Sequence, residues 1–174
     1  MKINVVGTSG SGKSTFARRL AEKLGCPHVE LDALFWGPNW SETSDAEFFR
    51  RIEEALSGHC WVVDGNYTRA IPVKWRDVDA VVWLDYGFFR TLRQAVLRAV
   101  RRAWCGEELW QGTGNRETFF RSFFSRDSVV LWTIRTYAEN RRRNEQLMHD
   151  PSFGHIRFVR FRKPEDAEGF IESL

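Results

Sequence analysis

Eight consecutive residues, Gly7-Thr8-Ser9-Gly10-Ser11-Gly12-Lys13-Ser14, carry the sharpest chemical signal in the chain. A glycine, four residues, a second glycine, a lysine and a hydroxyl residue form a phosphate-binding pattern. The glycines let the backbone curl until its N–H groups point inward, and a helix starting near Lys13 adds the positive end of its dipole. The expected ligand is the phosphate chain of a nucleoside triphosphate, namely ATP accompanied by Mg2+. Lys13 would reach the β- and γ-phosphates, and the Ser14 hydroxyl would ligate the ion. Thr15 continues the same stretch as a residue of the helix that follows.

Charge is the second signal. From Arg90 to Arg143 there are twelve arginines, no lysine and five acids, a net of +7 against −4 for the rest of the chain. Such a stripe suits a polyanion, either nucleotide phosphates or a nucleic-acid backbone. The exclusive use of arginine leans toward bidentate contacts with phosphate oxygens. Trp104, Trp110, Phe119, Phe120, Phe123 and Phe124 lie among these charges. They read either as base-stacking rings or as the core beneath a lid. Trp36 and Trp40, on a loop containing Gly37 and Pro38, likewise either wall an acceptor pocket or simply pack.

These residues need elements to hold them. Lys2 to Val6 is a short apolar run ending at glycine, and Phe16, Ala17, Leu20, Ala21 and Leu24 recur at helical spacing until Gly25. The phosphate loop therefore sits between strand and helix, as its mechanism requires. His28 to Leu31 reads as a second strand and Phe35 to Trp40 as a loop. A helix from Asp45 to Leu56 follows, opened by a Ser44/Glu47 capping box and stopped by Gly58. Cys60 to Val63 and Ala80 to Leu84 are continuous apolar runs, the pattern of strands buried on both faces, and they lead into Asp64 and Asp85. Beyond Gly87, a helix sets Phe88, Leu92, Ala95, Val96, Ala99 and Val100 against Arg90, Arg93, Arg98, Arg101 and Arg102. Residues 103–125 lack a sustained period. A helix from Asp127 to Met148, a strand from His155 to Arg160 and a terminal helix opening at Pro164 complete the pattern.

Alternating strands and helices imply right-handed crossovers and an α/β fold: a mostly parallel five-stranded sheet with helices on both faces. In such sheets ligands gather at the carboxyl ends of the strands, where Gly7, Asp32, Asp64 and Asp85 fall. The 174 residues suit one domain, 1–174, with an arginine-rich lid inserted over 103–125. A 43% apolar content with fourteen Phe and eight Trp excludes a disordered chain. No apolar run approaches membrane-spanning length, and the residues before Gly7 are too few for a signal-peptide core. Cys26, Cys60 and Cys105 follow no ligand or framework spacing, so a cytoplasmic protein with reduced thiols is expected.

With this phosphate loop, Asp64-Gly65 at a strand end and a late arginine-rich lid, nearly the whole chain resembles the adenylate kinase-like branch of the P-loop kinases. His28-x-x-x-Asp32, Trp36-Gly-Pro-Asn-Trp40, Asp64-Gly-Asn-Tyr67, Glu108-Leu-Trp110 and Gly114-Asn-Arg-Glu117 are similar to the DNA topology modulation proteins, a name that specifies no reaction. The resemblance implies the three-layer P-loop fold and an ATP-dependent kinase with a small-molecule or nucleotide-like acceptor. It also implies roles. Asp64 would hold magnesium-bound water. Asp32 would bind the acceptor hydroxyl and act as its base, the alternative being a solvent-exposed loop aspartate.

His28 reads either as catalytic or as a buried, hydrogen-bonded histidine. Arg98 and Arg102, four apart on one helical face, resemble lid arginines that stack on adenine and neutralise the transferred phosphoryl group, with Arg135 and Arg141 closing from the next helix. Asn115, Arg116 and Glu117 would order the lid. Arg69 stands one residue away from the family's phosphate-gripping arginine, and Asn66-Tyr67-Thr68 replaces its Phe-Pro. Asn66, Tyr67 and Arg69 are therefore expected at an acceptor other than a nucleoside monophosphate. The competing readings are a nucleotide-dependent nucleic-acid-binding protein affecting DNA topology and a plain NTP hydrolase.

Overall fold

The computed structural model describes residues 1–106, 108–110, 112–116 and 128–174. Five strands, β1 (Lys2–Gly7), β2 (His28–Glu30), β3 (Trp61–Asp64), β4 (Ala80–Leu84) and β5 (Arg157–Phe161), form one sheet in the order β2-β3-β1-β4-β5. Every neighbouring pair is parallel. The helices are α1 (Lys13–Leu24), α2 (Leu31–Phe35), α3 (Asp45–Ala55), α4 (Ile71–Lys74), α5 (Phe88–Cys105), α6 (Val129–His149) and α7 (Pro164–Glu172).

The apolar strands face two cores. Val6, Val63 and Val81 join Phe35, Phe48, Ile52, Trp75 and Trp83 on one side of the sheet. Their chain neighbours Val5, Val62 and Val82 join Phe16, Leu20, Leu84 and Ile171 on the other. Because side chains alternate along a strand, a sheet covered on both faces needs an apolar residue at nearly every position. Asn4, within β1, is a buried exception. Its side chain donates to the Val63 carbonyl at 3.0 Å and accepts from Trp75 Nε1 at 2.8 Å, so its polar atoms stay paired. Phe48 is fully buried, and truncating such a side chain to alanine costs about 3–5 kcal/mol.

Several element ends differ from the sequence expectation by one or two residues, β3 among them, which runs from Trp61 to Asp64 and not from Cys60 to Val63. β2 stops at Glu30 and Leu31 opens α2, so the expected strand is one residue shorter and part of the expected loop is helical. Short apolar segments are ambiguous between strand and helix, and α2 forms because Leu31 and Phe35, four apart, both reach the core. β5 runs two residues beyond its expected start because its register is set by β4, with Ala80 opposite Arg157. Only half of the capping box forms: Ser44 Oγ accepts from the Glu47 N–H at 3.4 Å, whereas the Glu47 carboxylate turns to Arg50 and Arg51.

α5 ends at Gly106, whose φ of 58° is a left-handed cap. Beyond it, Glu108 and Arg116 pair in an antiparallel bridge, and the Leu109 N–H donates to the Asn115 carbonyl at 2.9 Å. Residues 108–110 and 112–116 thus form the two sides of a short hairpin, called hairpin 108–116 below. The expected lid residues Glu117, Phe119, Phe120, Phe123 and Phe124, and the expected helix start at Asp127, lie outside the described residues.

Candidate functional site

β1 delivers Gly7 to the carboxyl edge of the sheet, and the loop that follows turns back into α1. Two glycines make that path possible. Gly10, at φ 88°, lies so close to α5 that a Cβ would meet the Thr91 carbonyl oxygen at 2.6 Å and Ala95 Cβ at 2.8 Å. Gly12, at φ 85°, is the N-cap of α1 and offers no side chain to its first turn, which also contains no acid. The donors that open a helix are normally satisfied by a capping side chain or an acidic neighbour. Here neither is present, and nothing lies within 4 Å of a Cβ built at Gly12. Ser11 Oγ is buried in the same loop without a hydrogen-bond partner.

Beside this cradle stands the end of β3, placed by the Val5–Asp64 register of the adjacent strands. Ser14 Oγ donates to Asp64 Oδ1 at 3.1 Å, joining a residue of the loop to one fifty positions away. The other Asp64 oxygen lies 2.8 Å from His28 Nε2, which donates to it. Asp64 is almost fully buried and His28 partly buried. Glu30, at the end of β2, completes a group whose ligand atoms and those of His28 and Asp64 lie within 4.8 Å of one another. Burial pushes the Glu30 carboxyl above its usual range, and the Asp64 charge adds to the effect.

The chain after β3 is tied to the loop. Asn66 Oδ1 accepts from the Gly7 N–H at 3.0 Å, while Asn66 Nδ2 donates to the Gly7 carbonyl at 2.6 Å. Expected at the acceptor, Asn66 instead braces the start of the phosphate loop with both ends of its amide. Tyr67 hydroxyl donates to Asp32 Oδ1 at 2.7 Å, so Asp32, in the first turn of α2, is an oriented carboxylate and not a free loop residue. Arg69 also differs from expectation: its guanidinium pairs with Asp45 at 3.3 Å and lies 4.8 Å from the centre of the Phe35 ring.

Around Asp32 the rings interlock edge to face. Trp36 meets Trp40 at 5.9 Å, and Trp40 meets Trp110 of the hairpin at 5.7 Å. From the opposite side, Arg98 of α5 donates through Nη2 to Ser9 Oγ at 3.0 Å, and Thr133 of α6 donates to the Ser9 carbonyl at 3.4 Å. Arg102, one turn beyond Arg98, lies close enough to Glu30 to oppose its upward shift. Arg135 is exposed on α6. Arg141 turns to Asp85, 3.3 Å away, and Arg160 donates to the same buried carboxylate at 2.7 and 3.0 Å. Asp85 thus stands at a strand end as expected, with its charge met by two arginines.

Lys13, Ser14, Asp64, His28, Ser9 and Arg98 are brought into one neighbourhood, with Asp32, Tyr67, Trp36 and Trp40 along the edge continuing from β2. Thr8 is buried within the loop and Thr15 is exposed in the first turn of α1. Sequence reasoning missed Glu30, Thr133 and Lys74. A glutamate interrupting the apolar stretch His28 to Leu31 was a usable signal for the first. Lys74 carried none. It is 2% exposed, donates to the Gly65 carbonyl at 3.0 Å, and burial lowers its pKa to about 7.

Comparison with known proteins agrees with this geometry. The family described as AAA domain matches residues 3–94, which contain the phosphate loop, Asp32 and Asp64. The adenylate kinase of Clavibacter michiganensis subsp. michiganensis is 26% identical over 153 residues, covering 85% of this chain and 71% of that protein. A shikimate kinase of Gloeobacter violaceus is 46% identical over 56 residues, 32% of this chain and 30% of its own. The chain spans 44% of the length of two archaeal relatives named after adenylate kinase, from Pyrococcus furiosus and Thermococcus onnurineus, each 34% identical over 79 residues and 41% of this chain. Among solved structures, a gluconokinase from Sinorhizobium meliloti 1021 superposes with a TM-score of 0.53 over 98% of this chain and 87% of its own, at 19% identity. No helix among the described residues is long and apolar enough to cross a membrane. The family match extends over more than half of the sequence, and the chain therefore belongs to the AAA domain family, with the fold of the P-loop kinases.

Proposed function

We propose that this protein is an ATP-dependent kinase that transfers the γ-phosphoryl group of Mg-ATP to a hydroxyl on a small molecule. The observation that carries the reading is the 3.1 Å contact between Ser14 and Asp64 at the mouth of an uncapped glycine-rich loop. It joins an anion-directed backbone to a pair of hard oxygen donors, the donor type that suits magnesium.

The residues present fit both groups. Open first-turn N–H groups, the orphaned Ser11 hydroxyl and Lys13 suit the phosphates. Ser14 and Asp64 would hold the ion, which supplies charge neutralisation across the β- and γ-phosphates when bound. Lys13 neutralises the same oxygens from the protein side. Arg98, held at Ser9, and Arg102 stand where charge builds on the transferred group, with exposed Arg135 free to swing in. Asp32 orients the acceptor hydroxyl. As that oxygen bonds to the γ-phosphorus, the bond from phosphorus to the β–γ bridging oxygen breaks, ADP leaves with the electron pair, and the hydroxyl proton passes to Asp32.

Trp36, Trp40 and Tyr67 wall the acceptor side, and hairpin 108–116 serves as part of a lid that excludes water. Arg69 is engaged by Asp45 and Phe35 and not held out toward an acceptor phosphate, which supports an acceptor without its own phosphate. Nucleosides, sugars and sugar acids offered with Mg-ATP should include one that accelerates ADP release and yields a phosphorylated product by mass spectrometry. Lys13→Ala should abolish that activity in a folded protein. ADP release that no acceptor stimulates would replace the kinase reading with hydrolysis.

One observation favours a second reading. α5 contains no acid and exposes Arg90, Arg93 and Arg101, a basic face that suits a nucleic-acid backbone. DNA affinity falling steeply with salt would support a nucleotide-dependent nucleic-acid-binding role linked to DNA topology.

A further inference from the structure

Hairpin 108–116 and the loop after α2 are separated by about seventy residues of sequence, yet one side chain joins them. Asn115 is 2% exposed. Its Nδ2 donates to the Gly37 carbonyl at 2.9 Å, and its Oδ1 accepts from the Trp40 N–H at 3.0 Å. The loop it grips is strained: Asn39 and Trp40 have φ of 54° and 60°, the only positive values among non-glycine residues of the described chain. A tryptophan is disfavoured in that left-handed region, because its Cβ crowds the backbone, and holds there only when its surroundings over-determine it. Asn115 supplies two backbone bonds on either side of the turn. The consequence is the position of the Trp40 ring, which meets Trp36 of its own loop and Trp110 of the hairpin. Within the hairpin, the Asn115 carbonyl accepts from Leu109 and the Gly114 N–H donates to Glu108 Oε1 at 2.7 Å. The side chain therefore projects from a base fixed by its own hydrogen bonds.

We infer that Asn115 is a positioning residue that locks Trp40 into the acceptor wall and makes the acceptor loop and the hairpin close as one unit. The functional part of this inference rests on the kinase reading. In that setting, a hairpin that moves over the nucleotide carries Trp40 with it, so the acceptor wall is complete only when the hairpin is seated. Phosphoryl transfer to water is thereby suppressed until both substrates are bound. Asn115 itself touches neither substrate. It acts through Trp40 and the conformation of residues 37–40.

The test separates the latch from the reading it serves. In the ligand-free protein, hydrogen exchange should show the Trp40 and Leu109 amides opening together, and the interacting tryptophan rings should give an exciton couplet in circular dichroism. Asn115→Ala should abolish protection at Trp40 and reduce the couplet. Asn115→Asp keeps an oxygen for the Trp40 N–H and should restore part of both. Trp110→Phe should lower the couplet while leaving the amide protection intact. Addition of the non-hydrolysable analogue Mg-AMPPNP should slow exchange in 37–41 and 108–116 together in the native protein and only in 108–116 in Asn115→Ala. Segments that respond independently in the native protein, or a variant in which both still respond together, would overturn the latch. Failure of Mg-AMPPNP to bind the native protein would instead overturn the kinase reading, while the ligand-free exchange and couplet would still decide whether Asn115 holds Trp40.

Discussion

The Tyr67 hydroxyl lies 2.7 Å from Asp32 Oδ1, and this bond orients the carboxylate that precedes the Trp36 to Trp40 loop. Burial, followed by the Asp32 charge, pushes the Tyr67 phenol well above the usual tyrosine range, so it donates to Asp32 at neutral pH. One carboxylate oxygen is held by Tyr67, and in the proposed reaction the other would take the acceptor hydroxyl.

Tyr67→Phe removes that hold without changing the ring packing against Phe35 and Phe48. Losing a hydrogen bond to a charged partner is worth about 1.5–3 kcal/mol, so acceptor-dependent turnover should fall roughly 10- to 100-fold. Asp32→Asn should cost more, about 10²- to 10⁴-fold in kcat, because it also removes the proton acceptor. Both variants should bind Mg-ATP normally, as measured by calorimetry. A loss of ATP affinity in Asp32→Asn would remove Asp32 from the acceptor side.

Ser14→Ala breaks the contact that joins the phosphate loop to β3, and Asp64→Asn removes the negative charge there while keeping an oxygen that can accept from Ser14. Each should raise the magnesium concentration needed for half-maximal activity, and the double variant should be little worse than the poorer single, since residues sharing one ligand sphere are non-additive. Magnesium titrations of the three proteins measure this directly. Strict additivity would mean that the two side chains do not act on the same ion.

Arg98→Ala frees the Ser9 hydroxyl and removes a cation beside the loop, and about 10²-fold should be lost from kcat, the scale of one donor to developing charge. Arg98→Lys should recover little, because a point charge does not reproduce the planar fork. Arg135→Ala separates two outcomes: a similar loss in kcat would show that this exposed side chain joins the reaction from α6, and unchanged kinetics would leave it a solvated residue.

Lys74 gives a pH signature for stability. Burial lowers its folded pKa to about 7 from an unfolded value of 10.5, so the unfolded chain binds more protons between these values. Stability should therefore rise as pH increases from about 7 to about 9, below the range where unfolded tyrosines ionise. Lys74→Met should flatten that rise, read as the urea midpoint at several pH values. A slope unchanged by the substitution would assign the effect to other groups.

How much of this was legible in the sequence follows from the range of each interaction. The phosphate loop could be read directly because glycine conformation, the lysine and the helix start all act within eight residues. The doubly buried strands were legible for the same local reason, since an apolar residue at every position leaves few other arrangements. Asp64 could be placed at a strand end, and Asp32 near one, from where the apolar runs stopped. The boundaries of β2 and β5 shifted because pairing register and core contacts, not composition, decide where a strand stops.

The sequence by itself determined a parallel α/β sheet and a phosphate-binding turn at its carboxyl edge. Tertiary structure alone decided which side chains meet there: Ser14 with Asp64, Tyr67 with Asp32, Asn66 on Gly7, Arg98 on Ser9 and Asn115 across Gly37 and Trp40. None of these pairs has a periodic signature, because each joins elements whose separation along the chain bears no relation to their separation in space. Arg69 and Asn66 illustrate the limit. Their residue types suited an acceptor, but the closeness of Asp45 and Phe35 to one, and of Gly7 to the other, gave them local partners instead. A polar side chain approaching the folded core is committed by the nearest complementary group, and which group is nearest is fixed only when the helices have packed on the sheet.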